Sequence, residues 1–134
     1  MSEGREASLE LLRSLAPLEG MKRENLHALS RKVTIQQMPA GRLLFKQGEN
    51  DKRTVWVIGG LVELSDEGRT VGLIKGGSNE ARSPLVPGQP RKYTAKATED
   101  INYLSIDSEL LDVMITWDQT GSYEVGDLQA QFKS

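Results

Sequence analysis

The stretch from Val33 to Ile74 constrains the fold most. "VTIQQM" alternates at Val33, Ile35 and Gln37, and a turn follows at Pro39-Ala40-Gly41. "RLLFKQG" then sets Leu43 and Phe45 on one face of a second run. After the break "ENDK", "TVWVIGGLVELSDEGRTVGLI" reads as three strands punctuated at Gly59-Gly60 and Glu67-Gly68. Period-two alternation marks half-buried strands. Short strands with turn signals about every 8 to 12 residues mark an antiparallel sandwich or barrel.

Helical patterns flank this region. In "ASLELLRSLAPLEG", Leu9, Leu12 and Leu15 share a face behind an N-cap at Ser8, and Pro17 and Gly20 close the segment. "MKRENLHALSRKV" repeats the pattern with Met21, Leu26, Leu29 and Val33. Strand alternation resumes in "KYTAKATEDINYLSID", with Asp100 in a turn. Then "SELLDVMITWD" carries an apolar stripe of Leu110, Leu111, Met114 and Trp117 behind a cap at Asp107 or Ser108. The acids Asp107, Glu109 and Asp112 suit a helix start through its dipole. "SYEVGDLQAQFKS" begins a further helical pattern and breaks off, which suggests a piece of a longer chain. The expected plan is one domain over 1–134, with helices at about 5–31, a β-barrel at about 32–107 and C-terminal helices at about 108–134.

Composition narrows the function. A chain of 134 residues with 37% hydrophobic and 27% charged residues is a single globular domain. Its net charge of −2 gives no basic face for DNA, and DNA binding by this chain is not expected. With no cysteine there is no disulfide or thiolate site, and the single histidine, His27, lies outside the β region. A metal enzyme on a barrel would need histidines inside it, so no enzymatic activity and no metal are expected. No apolar run reaches the ~18 residues of a membrane span, and the charged N-terminus is not a signal peptide. A cytoplasmic protein without membrane contact is the expectation.

One segment resists regular patterning. "GGSNEARSPLVPGQPRKYTAKA", Gly76 to Ala97, holds three prolines and several cations before a clear strand. Loops of more than about 12 residues in a compact domain are usually functional or disordered.

The motifs taken in order resemble the cyclic-nucleotide-binding domain family. "MPAGRLLFKQGEND" resembles its opening strands and acidic turn, and "VWVIGGLVEL" its strand, glycine turn and strand. "NEARSPLVPGQPRKYTAKA" resembles its phosphate-binding cassette, and "INYLSIDSELLDVMI" its closing strand and hinge helix. The resemblance covers about residues 15 to 117. It implies a mainly β fold with flanking helices: a double-stranded β-helix, or jelly-roll, barrel with N-terminal helices and C-terminal hinge helices. It implies a regulatory sensor of cAMP or cGMP, with cyclic di-GMP as a less favoured ligand, whose terminal helices shift on binding.

In that family a Gly-Glu pair opens a short helix and a Pro-Arg pair closes the loop. The resemblance makes Glu80 the acceptor for a ribose hydroxyl and Arg91 the partner of the cyclic phosphate. The ligand-binding set it implies is Gly77, Ser78, Asn79, Glu80, Ala81, Arg82, Arg91, Lys92, Tyr93 and Thr94. Val62, Leu64, Val71 and Leu73 are candidate apolar walls for the base, and Tyr123 and Phe132 candidate caps over it. An anion leaving water needs such pairing, because burying a bare charge costs several kcal/mol. An arginine offers planar, bidentate donors for it.

This chain departs from the pattern, and its loop is about two residues longer before Pro90-Arg91. Asn79 stands where the family has glycine, Pro84 falls where small apolar residues continue the helix, and the bulky Lys92-Tyr93 replaces a small pair. The added cations suit an anionic nucleotide; the crowding suits a degenerate, non-binding copy acting as a protein-interaction or dimerisation module. Both readings stay open. The partners to expect are a small anionic nucleotide, other domains of a longer chain, or a second copy joined through the C-terminal helices.

Overall fold

The computed structural model describes residues 5–120. Eight strands form: β1 (Arg5–Glu6), β2 (Thr34–Met38), β3 (Leu43–Phe45), β4 (Arg53–Gly59), β5 (Leu61–Asp66), β6 (Arg69–Lys75), β7 (Thr94–Ala97) and β8 (Ile101–Asp107). Three α-helices flank them: α1 (Leu9–Arg13), α2 (Arg23–Ser30) and α3 (Ser108–Thr120). Single 3-10 turns form at Leu18–Gly20 and Glu80–Arg82. All pairings are antiparallel, in two four-stranded sheets ordered β1-β2-β8-β4 and β3-β7-β5-β6. This is a jelly-roll with helices at both ends of the chain.

The sheets and helices stack as three layers. In the first sheet β8 lies between β2 and the edge strand β4, and β4 and β8 are dry on both faces. Val55, Val57, Ile101 and Tyr103 pack toward the second sheet, with Val62, Leu64, Ala95 and Ala97. Trp56, Leu104 and Ile106 face the other way, onto Leu12, Leu15, Leu18, Leu26, Leu29 and Leu111 of the helical segments. That two-sided burial explains why "TVWVI" is a continuous apolar run rather than an alternating one. Trp56 is wholly buried and its indole N–H donates to Ala16 O at 2.9 Å. A buried indole with its one donor satisfied anchors the helical layer to the sheet.

Local chemistry sets the element ends. Ser8 Oγ accepts from Leu11 N at 3.1 Å and caps α1. Asp107 Oδ1 accepts from Glu109 N at 2.9 Å and Leu110 N at 3.0 Å, capping α3. Gly60, where the chain crosses from β4 to β5, and Gly68, in the β5–β6 hairpin, take positive φ of 89° and 86°.

Several expectations need correction. Residues 5–6 are a strand edge paired to Thr34 and Ile35 rather than part of a helix, and α1 starts only at Leu9. Leu43 and Phe45 do not share a face: a register shift between them leaves Leu43 exposed and buries Leu44 with Phe45. Val71 and Leu73 are 49% and 55% exposed, so they line no interior wall. Trp117 is 63% exposed and stands off the buried face of α3 that holds Leu111. Tyr123, Phe132 and the helical pattern after Thr120 lie outside the described residues. No helix among the described residues is long and apolar enough to cross a membrane.

Candidate functional site

The segment between β6 and β7 leaves the second sheet through Gly76. Gly76 N donates to Gly60 O at 2.9 Å, and a Cβ at this position would lie 2.4 Å from the Gly59 Cα. Only glycine lets the two backbones approach this closely. The chain then turns at Gly77, with φ of 87°, and winds one 3-10 turn at Glu80–Arg82. Asn79, in the place of the family's glycine, has φ −61° and ψ −38°, a right-handed helical conformation that any residue adopts. The positive φ sits two residues earlier, so asparagine imposes no strain. Ser83 is extended at φ −99° and ψ 158°, as a residue before proline should be, and the turn ends there.

The ten expected site residues fall into two groups. Gly77, Ser78, Ala81 and Arg82 line a cleft of about 170 Å³ against Leu11, Ser14, Leu15, Val57 and Ile58. That volume is below the ~300–1,000 Å³ of small-molecule sites, so the cleft is a packing seam. The seam is clasped by hydrogen bonds. Ala16 N donates to Arg82 O at 2.7 Å and Arg82 Nε donates to Ser14 O at 2.9 Å. The Arg82 Nη2 also lies 3.3 Å from Glu19 Oε1. Arg82 therefore faces the N-terminal helices.

The second group leads into β7. Thr94 Oγ1 accepts from Gln47 N at 2.9 Å, and Tyr93 packs half-buried on the inter-sheet core. Lys92 is exposed, with its Nζ 5.5 Å from the centre of the Tyr93 ring.

Arg91 differs from all of these. It is 2% exposed, inside the protein. A guanidinium has five N–H donors, and here each has a protein acceptor. Nε donates to Asp51 Oδ2 at 3.0 Å and Nη2 to Asp51 Oδ1 at 2.8 Å, a bidentate pair. The second Nη2 hydrogen goes to Arg53 O. Nη1 donates to Val86 O at 2.8 Å and Leu85 O at 3.3 Å. The Phe45 ring lies 3.9 Å from the guanidinium carbon and closes one face. Burial raises the Asp51 carboxyl, but its bonds from Arg91 and from Arg53 N outweigh this and hold it below the ordinary carboxylate range. The cassette backbone between the 3-10 turn and Arg91 is thus pinned to the arginine it precedes. Val86, whose carbonyl makes one of these bonds, has φ 42°, a strained value for a β-branched residue.

Glu80 contrasts with Arg91. It is exposed, and among the described residues its carboxylate meets no donor and no cation. Neither Arg82 nor Arg91 pairs with it; Glu19 and Asp51 hold those instead. Asp51 is the functional neighbour that sequence reading missed. It lies in the strand break "ENDK", and its only signal in the sequence is an acid three residues after the turn glycine Gly48.

An antiparallel jelly-roll with terminal helices and a 3-10 turn plus arginine between two late strands defines a class of small regulatory domains. The family described as cyclic nucleotide-binding domain matches residues 35–116, more than half the chain, and the chain belongs to that family. Among curated proteins it is similar to the patatin-like phospholipase domain-containing protein 7 of Mus musculus, 28% identical over 92 residues. That match takes in 64% of this chain and only 7% of the mouse protein. Among solved structures it is similar to a cyclic nucleotide-binding protein of Geobacter metallireducens, with 21% identity and TM-score 0.67 over 85% of this chain and 86% of that one. It is also similar to the regulatory subunit of a cAMP-independent protein kinase A from Trypanosoma cruzi bound to guanosine. That likeness has 12% identity and TM-score 0.64, over 81% of this chain and 42% of that one.

Proposed function

We propose that this chain is a regulatory, nucleotide-sensing module that carries out no chemical step itself. Family membership supports the ligand class. The clasp between the cassette and the N-terminal helices supports the mechanism. Arg82 O, Arg82 Nε and the Glu19 pair tie the 3-10 turn to residues 14–19, while Ala16 O takes the buried indole of Trp56. A ligand that repositions the cassette necessarily acts on these bonds. It shifts the helices only as far as its affinity differs between the two arrangements. The guanosine-bound Trypanosoma cruzi neighbour supports a ligand range wider than cyclic nucleotides.

Calorimetry with cAMP, cGMP and cyclic di-GMP, combined with hydrogen exchange at the Ala16 amide, tests the reading. Ligand at 100 times its dissociation constant adds about 2.7 kcal/mol to stability. Absence of heat and of thermal shift at millimolar nucleotide or nucleoside sinks the proposal.

A second reading has its own observation. Val113 and Trp117, 45% and 63% exposed, extend the half-buried Leu110 and Met114 into an apolar stripe along α3. Such a stripe suits a second copy or a further domain of a longer protein. Light scattering then gives a dimer mass that Trp117→Ala reduces to the monomer; a monomer at all concentrations removes self-association.

A further inference from the structure

We propose that Ser83 is a phosphorylation site, and that its phosphate draws Arg82 away from Glu19 and loosens the cassette from the N-terminal helices. The proposal rests on the sensing reading above and adds a covalent control to the same clasp.

The hydroxyl is presented as few others are. Ser83 is exposed, and its hydroxyl has no hydrogen-bond partner among the described residues. The other described serine and threonine hydroxyls without one, Thr34, Ser65 and Thr116, are held in β2, β5 and α3. Ser83 lies outside every strand and α-helix, and its backbone is extended, the form in which a kinase cleft takes its substrate. The turn before it is held by Ala81 N to Ser78 O at 3.1 Å, Arg82 N to Asn79 O at 3.2 Å and Ser83 N to Glu80 O at 3.3 Å. A single 3-10 turn with bonds this long unwinds at little cost. Pro84 follows directly, and Ser83-Pro84 is the chain's only hydroxyl residue before a proline. That pair is what proline-directed serine kinases read.

In the transfer, Ser83 Oγ attacks the γ-phosphorus of the kinase's magnesium-bound ATP. The bond from that phosphorus to the β–γ bridging oxygen breaks, and ADP leaves with the electron pair. The hydroxyl proton passes to the kinase's catalytic aspartate.

The product has a cation beside it. Arg82 Nη2 lies 3.3 Å from Glu19 Oε1, and both side chains are half exposed. An exposed pair of this kind is weak. A phosphoserine carries a charge of about −1.5 to −2 and three strong acceptor oxygens. A guanidinium meets a phosphate with two parallel bonds. The phosphate is also tethered one residue from Arg82, whereas Glu19 is 63 positions away along the chain, and a short tether raises effective concentration. Arg82 therefore gives up Glu19, and with it the bond from Nε to Ser14 O at 2.9 Å, for the phosphate. Glu19 is left facing a dianion. The clasp then hangs on one bond, Ala16 N to Arg82 O.

The test incubates the full chain with magnesium-ATP and a proline-directed kinase of the mitogen-activated class. Mass spectrometry reads the phosphate, and nuclear magnetic resonance reads hydrogen exchange at the Ala16 amide. The expected result is phosphate at Ser83, absent from Ser83→Ala, and Ala16 exchange about tenfold faster in the modified protein. Glu19→Gln removes the competing acid, so exchange is already faster without phosphate and the modification adds less than about threefold. A folded chain that takes no phosphate at Ser83 overturns the site; a Gly76–Ala97 peptide labelled in the same mixture shows the kinase active. Phosphoserine at position 83, from the kinase or installed by genetic encoding, with Ala16 exchange unchanged overturns the coupling. Neither result touches the nucleotide titration, which succeeds or fails on the unmodified chain.

Discussion

Arg91 and Asp51 act as one unit, and their separation tells what each contributes. Replacing Arg91 by alanine leaves a buried carboxylate and the carbonyls of Arg53, Leu85 and Val86 without donors. A loss of about 3–5 kcal/mol is expected in urea unfolding. Arg91→Lys keeps the charge without the fork and should remain destabilised. A purely ligand-facing arginine would leave the unfolding curve unmoved, so the same measurement separates the two roles. Acid adds a second check. The folded-state pKa of Asp51 is lowered, so its stabilisation is complete above the unfolded value of about 3.9 and is lost as pH falls through the folded value. Wild-type stability should therefore drop below about pH 4 more steeply than that of Asp51→Asn, followed by far-ultraviolet circular dichroism.

The elements differ in how openly the residues announced them. The successive strands β4, β5 and β6 were legible because their signals are local: apolar or alternating runs, then glycine or an αL residue at each corner. The Asp107 and Ser8 caps were legible for the same reason. What escaped was set by partners far along the chain. The two-residue β1 exists because Thr34 and Ile35 offer it an edge, and the Leu43 bulge comes from its pairing with β7. In the candidate site, the short turn at Glu80–Arg82 was readable, while the partners of Arg82 and Arg91, Glu19 and an acid 40 positions upstream, were not. At this scale Gly76→Ala should cost about 1–3 kcal/mol in thermal unfolding, because its Cβ would overlap the Gly59 backbone. The tie between α2 and α3 should also be measurable. Asp118, buried on α3, accepts from Lys22 N at 2.8 Å and Asn25 Nδ2 at 2.6 Å, and burial, which raises its pKa, is outweighed by these bonds. Asp118→Ala should cost about 1–3 kcal/mol and raise hydrogen exchange at the start of α2.

In the molecule as a whole, one sheet carries both the hydrophobic load and the connections. Its two faces serve different neighbours: the second sheet on one side, the helical layer on the other. Trp56 sits at that junction with its ring at 0% exposure, whereas Trp117 stands 63% exposed on α3. The chain has only these two tryptophans. They divide its ultraviolet emission into a blue-shifted and a red-shifted component. Iodide should extinguish the second and spare the first. With Trp117→Phe, the remaining light comes from an indole bonded to Ala16, whose amide donates to Arg82 O in the clasp, and its wavelength becomes an intrinsic optical readout of the helical layer, with no label attached.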